Sequence, residues 1–256
     1  MKVTPISRKA FERLNRMNLS RNIRNTEAVI YDYTPKLSPT QKVFKKLHYQ
    51  TGAVFGNKLF TIEMLDSNKE YLPPYFCIPD SLVTVSGVVQ GFTLPKIEGD
   101  NLADVLRDSK CSVQDQIFYL KKVGQMLEQL KRIRQNTELT DIYINDLHES
   151  NFIVNSKNHE LYVIDLDSCK IKDNQPTPSK YLTPKTLVNT VQGKYQFANP
   201  DCPTYGHVIA DENSDLFCYT MMFLNYIYGE NIVNFNLEEY YDYLEYLRTL
   251  YKEAEF

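Results

Sequence analysis

Glycine is scarce in this chain, and its scarcity excludes several nucleotide-binding motifs. Only nine glycines occur in 256 residues, about half the usual share. No G-x-G-x-x-G is present, so the chain lacks the dinucleotide-binding fingerprint. The segment Gly52–Lys58 fails as a P-loop, because three residues instead of four separate its glycines and no Ser or Thr follows its lysine. G-x-S-x-G and H-E-x-x-H are also absent, which argues against the common serine hydrolases and zinc proteases.

Cysteine pairs and long apolar runs are lacking as well. The five cysteines form no C-x-x-C pair, which predicts reduced thiols and neither disulfides nor a zinc site. They are Cys77, Cys111, Cys169, Cys202 and Cys218. No apolar run approaches the ~18 residues that a membrane helix needs, and the segment MKVTPISRKAFERL has no signal-peptide core. We therefore expect a cytoplasmic protein that does not span a membrane.

Positive charge is not in excess overall, but it is concentrated at the N-terminus. The net charge of −3 argues against a globally basic nucleic-acid binder. Residues 1–26 nevertheless contain seven Lys or Arg against one acid, Glu12. The pattern favours a solvated helix or flexible arm, and the alternative is a contact for an acidic partner or for phosphates.

The first hundred residues alternate β-like runs with turn signals. The spacing of Leu59, Ile62 and Leu65 predicts a helix over 57–65, and Pro35–Pro39 predicts a turn. Period-two alternation predicts a strand at 42–47, and β-like runs predict strands at 28–33, 83–89 and 92–97, with Gly91 between the last two.

Helical patterns dominate after Gly99. Ser112 is the predicted N-cap of a long amphipathic helix that reaches residue 133. The remaining expectations are a β-rich segment over 141–167, a long loop over 168–206 and helices over 216–228 and 237–254. A strand-rich part thus precedes a helix-rich part, with the junction near 95–99.

One constellation of polar residues points to a chemistry. In Ile144–Val154 and Leu161–Asp167, Asp146 is followed five residues later by Asn151, and Asp165 ends an apolar strand. Phosphoryl transfer from ATP needs a divalent metal on the phosphates and a carboxylate near the attacking hydroxyl. Asn and Asp supply the hard oxygen ligands that Mg²⁺ prefers. We expect Asn151 and Asp165 to share one metal ion, with Asp146 facing the acceptor.

This constellation resembles the catalytic and metal-binding loops of the protein kinase-like superfamily. The segments I-N-D-L-H-E-S-N and D-L-D match the order and spacing of H-R-D-L-x-x-x-N and D-F-G. The resemblance implies that Asp146 is the catalytic Asp and that Asn151 and Asp165 bind Mg²⁺, with Mn²⁺ as an alternative.

Further matches to this superfamily lie on both sides. Lys45 in Val-Phe-Lys resembles the phosphate-binding lysine of V-A-I-K, with Lys46 as the alternative, and Glu63 falls where a helix supplies its partner. Lys96 and Ile97 fall in a segment like the hinge whose backbone meets adenine. Residues 198–201 (A-N-P-D) resemble A-P-E, and residues 214–217 (S-D-L-F) resemble the start of a buried helix whose Asp anchors the catalytic loop.

Some residues depart from the protein kinase pattern, and they split the assignment within the superfamily between protein kinases and small-molecule kinases. Ile144 and Asn145 replace His-Arg, so no Arg is present there to receive an activation-loop phosphate. His148 in D-L-H and Asp167 in D-L-D resemble the motifs of the aminoglycoside and choline kinase branch. The predicted turn at 35–39 stands where protein kinases have the glycine loop. Asp167 itself could be a second metal ligand, an acceptor for a backbone amide, or neither.

Ordinary structural roles compete with each of these assignments. Asp146 and Asn151 are residue types common in turns. Asp165 could cap a helix, and Lys45 could be a solvated strand lysine. The shared register of the three loop residues favours the functional interpretation.

The sequence thus predicts an α+β, two-lobed kinase-like fold. The expected divisions are a basic N-terminal arm or helix over 1–26, a small lobe over 27–97 and a mainly helical lobe over 98–256. The expected activity is transfer of the γ-phosphoryl group of Mg·ATP to a hydroxyl, in a protein Ser or Thr in preference to a small molecule. The alternatives are a small-molecule kinase, a silent pseudokinase that acts as a binding module, and a nucleic-acid-associated protein that uses its basic arm.

Overall fold

The computed structural model describes residues 1–17, 28–33, 40–155, 157–172, 174, 211–227, 242 and 245. These residues combine a five-stranded sheet, a smaller sheet and several helices, so the predicted mixture of helix and sheet is confirmed at the level of an α+β protein. Several predicted features lie outside the described residues, namely the turn at 35–39, the segment 198–201, most of the loop over 168–206 and all but two residues of the helix over 237–254.

The first half of the chain contributes the larger sheet. Its strands are β1 (Lys2–Ile6), β2 (Ala28–Asp32), β3 (Lys42–Leu47), β4 (Ser81–Val85) and β5 (Val88–Pro95), in the order β1-β4-β5-β3-β2. β1 runs parallel to β4, and the other neighbours are antiparallel. The strands predicted at 28–33 and 42–47 are confirmed within one residue.

The hairpin between β4 and β5 differs from its prediction. The chain turns at Ser86 and Gly87, whose φ angles of 51° and 81° suit a tight two-residue hairpin turn. Gly91, which was expected between two separate strands, instead lies inside β5 opposite Lys46. A Cβ there would lie 2.0 Å from the carbonyl oxygen of Lys45, so this glycine serves close packing of two backbones.

The N-terminal residues also differ from the predicted arm. Lys2–Ile6 is an edge strand of the sheet, and α1 (Arg8–Phe11) follows it, capped by the Ser7 side chain. Most side chains of β1 are exposed, so the residues of this strand lack the apolar pattern of a buried strand. The strand is held by main-chain pairing with β4, which the composition of the segment does not reveal. Residues 2–6 therefore belong to the sheet and are not a separate arm.

The remaining elements surround a second core. They are α2 (Ala53–Ser67), α3 (Leu102–Arg107), α4 (Val113–Asn136), α5 (Glu212–Ile227) and an antiparallel sheet of β6 (Asp100–Asn101), β7 (Phe152–Val154) and β8 (Leu161–Val163). Ser112 caps α4 in a capping box with Asp115, as the sequence predicts for the N-cap.

Two clusters of buried apolar side chains hold these elements together. One lies between the larger sheet and α2 and includes Ile62, Phe92 and Leu94. The other is centred on α4, α5 and the smaller sheet. Within the described residues, none of the helices combines the length and hydrophobicity needed to cross a bilayer.

Candidate active site

A buried aspartate of α5 anchors the loop that contains Asp146. The two carboxylate oxygens of Asp215 accept hydrogen bonds from the backbone N–H groups of Ile144 and Asn145, at 2.9 and 2.8 Å. Asn145 has a φ of 59°, a left-handed conformation that Asn tolerates better than most residues. Burial raises the pKa of Asp215 to about 6, against the lowering effect of the two N–H groups. The sequence-predicted anchoring role of Asp215 is confirmed.

Asn151 holds the same loop through a contact with Asp146. Its Nδ2 donates to the backbone oxygen of Asp146 at 2.9 Å and lies 3.3 Å from the Asp146 Oδ2. The 3₁₀ turn Glu149–Asn151 makes this possible, and His148 caps it by accepting from the Ser150 N–H at 3.2 Å. Because Asn151 donates through its nitrogen, its Oδ1 is the atom that remains to act as a ligand.

The hairpin of β7 and β8 brings Asn151 next to the end of the strand before Asp165. The Ile164 N–H donates to the Asn151 carbonyl at 2.9 Å, directly continuing the ladder that pairs Phe152 with Val163. Asp165 follows with a φ of 64°. Asp, like Asn, adopts this left-handed conformation more readily than most residues other than Gly. Asp146, Asn151 and Asp165 thus belong to one compact loop pair.

Lys45 reaches this loop pair from the middle of β3. Its ammonium group forms an ion pair with the Asp165 carboxylate and a second one with Asp167 Oδ1 at 2.7 Å. Burial lowers the pKa of Lys45, but the two carboxylates more than offset that effect and leave it above its ordinary value. Lys46, the alternative, points elsewhere, with its ammonium 5.7 Å from the centre of the Phe11 ring.

The predicted partner of Lys45 is not where the sequence suggested. Glu63 is exposed on α2, and no ion pair joins it to a described residue. The helix turns its buried face, with Lys58, Thr61, Ile62 and Leu65, toward the rest of the protein. The expected Lys45–Glu63 pair is therefore wrong, and the carboxylates that meet Lys45 come from the loop after β8.

The predicted hinge residues lie at the end of β5. The Lys96 backbone N–H donates to the Gln41 carbonyl at 2.9 Å, and its ammonium lies 3.5 Å from Asp32. Ile97 packs against the apolar cluster under the larger sheet. The Lys96 N–H is therefore already used within the protein.

Lys58 is the charged residue of the site to which the sequence interpretation assigned no role. Its Nζ lies 2.9 Å from Asp167 Oδ2 and 3.1 Å from Ser168 Oγ. A signal existed, because Lys58 lies four and seven residues before Ile62 and Leu65 and therefore on their buried helix face. Although burial raises the pKa of Asp167, the ammonium groups of Lys45 and Lys58 hold it well below the usual range.

The residues present fit a magnesium ion that keeps most of its waters. Asp165 supplies a carboxylate whose side chain is 37% exposed, and Asn151 supplies an amide oxygen. Mg²⁺ in nucleotide sites is held by one or two such groups together with the phosphates. Among the described residues no group of three or more His, Cys, Asp or Glu could hold a metal alone.

Comparison of the chain with protein-family models gave no match, and neither did comparison with curated proteins.

Proposed function

We propose that this chain is an ATP- and Mg²⁺-dependent phosphotransferase that moves the γ-phosphoryl group to a hydroxyl. The observation that carries the proposal is the ion pair between Lys45 and Asp165, which are 120 positions apart in the chain. The sequence motif assigns the first to the phosphates and the second to the metal ion. A phosphate ligand and a metal ligand must lie side by side to act on one nucleotide.

The architecture that we propose is the two-lobed protein kinase-like fold, with a small lobe over 27–97 that also includes β1, and a second lobe over 98–256. Two observations support it, namely the two separate apolar clusters and the anchoring of the Asp146 loop by Asp215 of α5. Use of ATP also agrees with the cytoplasmic location that the sequence suggests.

Each side chain has a defined task in this mechanism. Asp146 orients the acceptor hydroxyl and accepts its proton, while Asn151 holds the Asp146 loop in shape through its Nδ2. Lys45 binds the α- and β-phosphates. Asn151 and Asp165 would hold Mg²⁺, which neutralises charge on the phosphates when bound.

The first candidate acceptor is a protein Ser or Thr, and a small-molecule alcohol is the second. The second rests on His148, which lies in D-L-H with its Nε2 3.5 Å from Asp146 Oδ1. A binding module without turnover is the candidate from another class. It is favoured by the ion pairs that Lys45 and Lys58 form with Asp165 and Asp167, because these four charges neutralise one another in the absence of nucleotide.

The test is phosphoryl transfer from labelled ATP in the presence of Mg²⁺ or Mn²⁺. Asp146→Asn should lower the rate by about 10²-fold or more, as expected for loss of a positioned acid–base group. Asp141→Asn is the matched control, because Asp141 is an exposed carboxylate in the same segment. A protein lysate and a panel of small alcohols and sugars serve as separate acceptors.

Each result has a defined meaning. Label in protein that disappears with Asp146→Asn supports the first acceptor, and label in a small molecule supports the second. Nucleotide binding without transfer to either acceptor would support the binding module. Transfer that is equally fast in the Asp146→Asn and Asp141→Asn variants would contradict the assignment of Asp146.

A further inference from the structure

A second buried lysine stands beside the first and shares its partner. Lys45 on β3 and Lys58 on α2 are each 6% exposed. Asp167 divides its carboxylate between them, with Oδ1 2.7 Å from the Lys45 ammonium and Oδ2 2.9 Å from that of Lys58. One carboxylate thus connects the sheet, the helix and the loop that follows β8.

The two aspartates of this loop differ in how freely they can change partners. The Asp165 side chain is 37% exposed, whereas that of Asp167 is 1% exposed. An exposed carboxylate can exchange an ammonium partner for another cation at small cost, because water solvates it in between. A fully buried carboxylate that loses its partners is left as an uncompensated charge. Asp167 is therefore the lasting partner of Lys45, and Asp165 is the exchangeable one.

Lys58 fixes the position of Asp167 in turn. It binds the Asp167 carboxylate and the Ser168 hydroxyl, at the two residues that end the 3₁₀ turn Leu166–Ser168. The same face of α2 holds the next residue of the chain, since the Thr61 hydroxyl lies 3.3 Å from the Cys169 carbonyl. The helix thus secures the loop through side chains one turn apart.

We propose that Asp167 is a positioning residue, held on α2 by Lys58, that keeps the Lys45 ammonium directed at the nucleotide phosphates. This inference rests on the proposed function, because it assumes that Lys45 meets a phosphate. It assigns to the loop and the helix lysine together the task that the sequence had assigned to Glu63. Asp165 is then free to act at the metal ion while Lys45 stays in place.

The test removes the buried acid and its helix partner together, as Lys58→Met/Asp167→Asn. This change keeps the net charge and leaves Lys45 paired with Asp165, so the Lys45 ammonium is not left as an unpaired buried charge. With Mg²⁺ present, we expect the dissociation constant of the fluorescent analogue mant-ATP to rise by about tenfold or more. We expect KM for ATP to rise likewise, whereas kcat at saturating ATP stays within about threefold, because Asp146, Asn151 and Asp165 are intact.

The control removes an exposed lysine–carboxylate ion pair that contacts none of Lys45, Lys58 and Asp167. Lys131→Met/Glu212→Gln deletes a 2.9 Å contact between α4 and α5 and should leave mant-ATP binding unchanged. Should the test variant not fold, Lys58→Met alone must still weaken binding by about threefold or more. An unchanged dissociation constant in that variant overturns the proposal.

The outcomes also separate this inference from the function on which it rests. Binding that is weakened by Lys45→Met but unchanged by Lys58→Met/Asp167→Asn overturns the role of Asp167 and leaves the phosphotransferase standing. Loss of kcat without a change in KM assigns Asp167 to the chemical step and equally overturns a positioning role. A wild-type protein that binds no mant-ATP overturns the phosphotransferase and the inference together.

Discussion

Asp215 allows a prediction in which stability and activity change in opposite directions. It is 4% exposed, and each of its carboxylate oxygens accepts one backbone N–H of the Asp146 loop. Asp215→Asn keeps the shape but leaves only one acceptor oxygen, so one N–H of the loop faces an amide nitrogen instead. The substitution therefore loosens the Asp146 loop while it removes a buried charge.

The effect on stability has a definite sign. Burial raises the pKa of Asp215 from 3.8 to about 6, so the folded protein binds this proton more tightly than the unfolded chain. The contribution of Asp215 to stability is therefore fully present below pH 3.8 and is lost as the pH rises through about 6. The amide of the variant has no such titration. From about pH 4.5 to about pH 7.5, we expect the free energy of unfolding of the variant to improve by roughly 2 kcal/mol relative to wild type.

Urea unfolding followed by far-UV circular dichroism measures this difference directly. Glu212→Gln is the control on the same helix, because Lys131 and Arg134 lower the pKa of the exposed Glu212 carboxyl. Its pH dependence has the opposite sign, since stability from a lowered pKa is lost as the pH falls. Phosphoryl transfer by Asp215→Asn should nevertheless decrease. A stability difference between Asp215→Asn and wild type that is constant across the pH range, or that moves against the variant as the pH rises, would refute the reasoning.

Four further predictions concern Lys45 and the elements around it. Lys45→Met should weaken mant-ATP binding by about tenfold or more, whereas Lys46→Met, whose lysine lies near the Phe11 ring, should leave it unchanged in the same titration. Glu63→Gln should not alter KM for ATP, and a tenfold increase would restore the predicted Lys45–Glu63 pair. Gly91→Ala should destabilise the sheet by about 1–3 kcal/mol in urea unfolding, because its Cβ meets the Lys45 carbonyl. Gly56→Ala is its opposite, since that Cβ meets nothing within 4 Å in α2, and it should stabilise by about 0.5–1 kcal/mol.

The loop pair of Asp146, Asn151 and Asp165 was predictable because its geometry is local. The first two are five positions apart, which suits one 3₁₀ turn, and a short hairpin brings the third alongside. The capped start of α4 was predictable for the same reason, because Ser112 and Asp115 satisfy each other within one turn. Interactions between residues a few positions apart can be predicted, because the partners stand at a fixed short spacing in the sequence.

Interactions that depend on how two elements pack were harder to predict from the sequence. Glu63 lies five positions beyond Lys58, which places the two on different faces of α2. Motif spacing fixed the position along the helix but not which face would be buried, and packing on the loop after β8 decided for Lys58. The hairpin turn was misplaced for a related reason. Gly91 suggested a break between two strands when taken alone, and only the pairing with β3 reveals that it accommodates the Lys45 carbonyl.

The aspartates of D-L-D show how a local motif and long-range packing combine. Residues two apart in an extended strand would point to the same side, yet here Asp165 is partly exposed and Asp167 is buried. The difference arises because Asp165 adopts a left-handed φ and the chain then enters a 3₁₀ turn, so the period-two alternation of a strand ends there. The sequence places two acids just after β8, and the buried ammonium groups of Lys45 and Lys58 make the second acid tolerable inside the protein. Asp167 and Lys58 are therefore best understood as one unit, and any functional account of Lys45 has to include both.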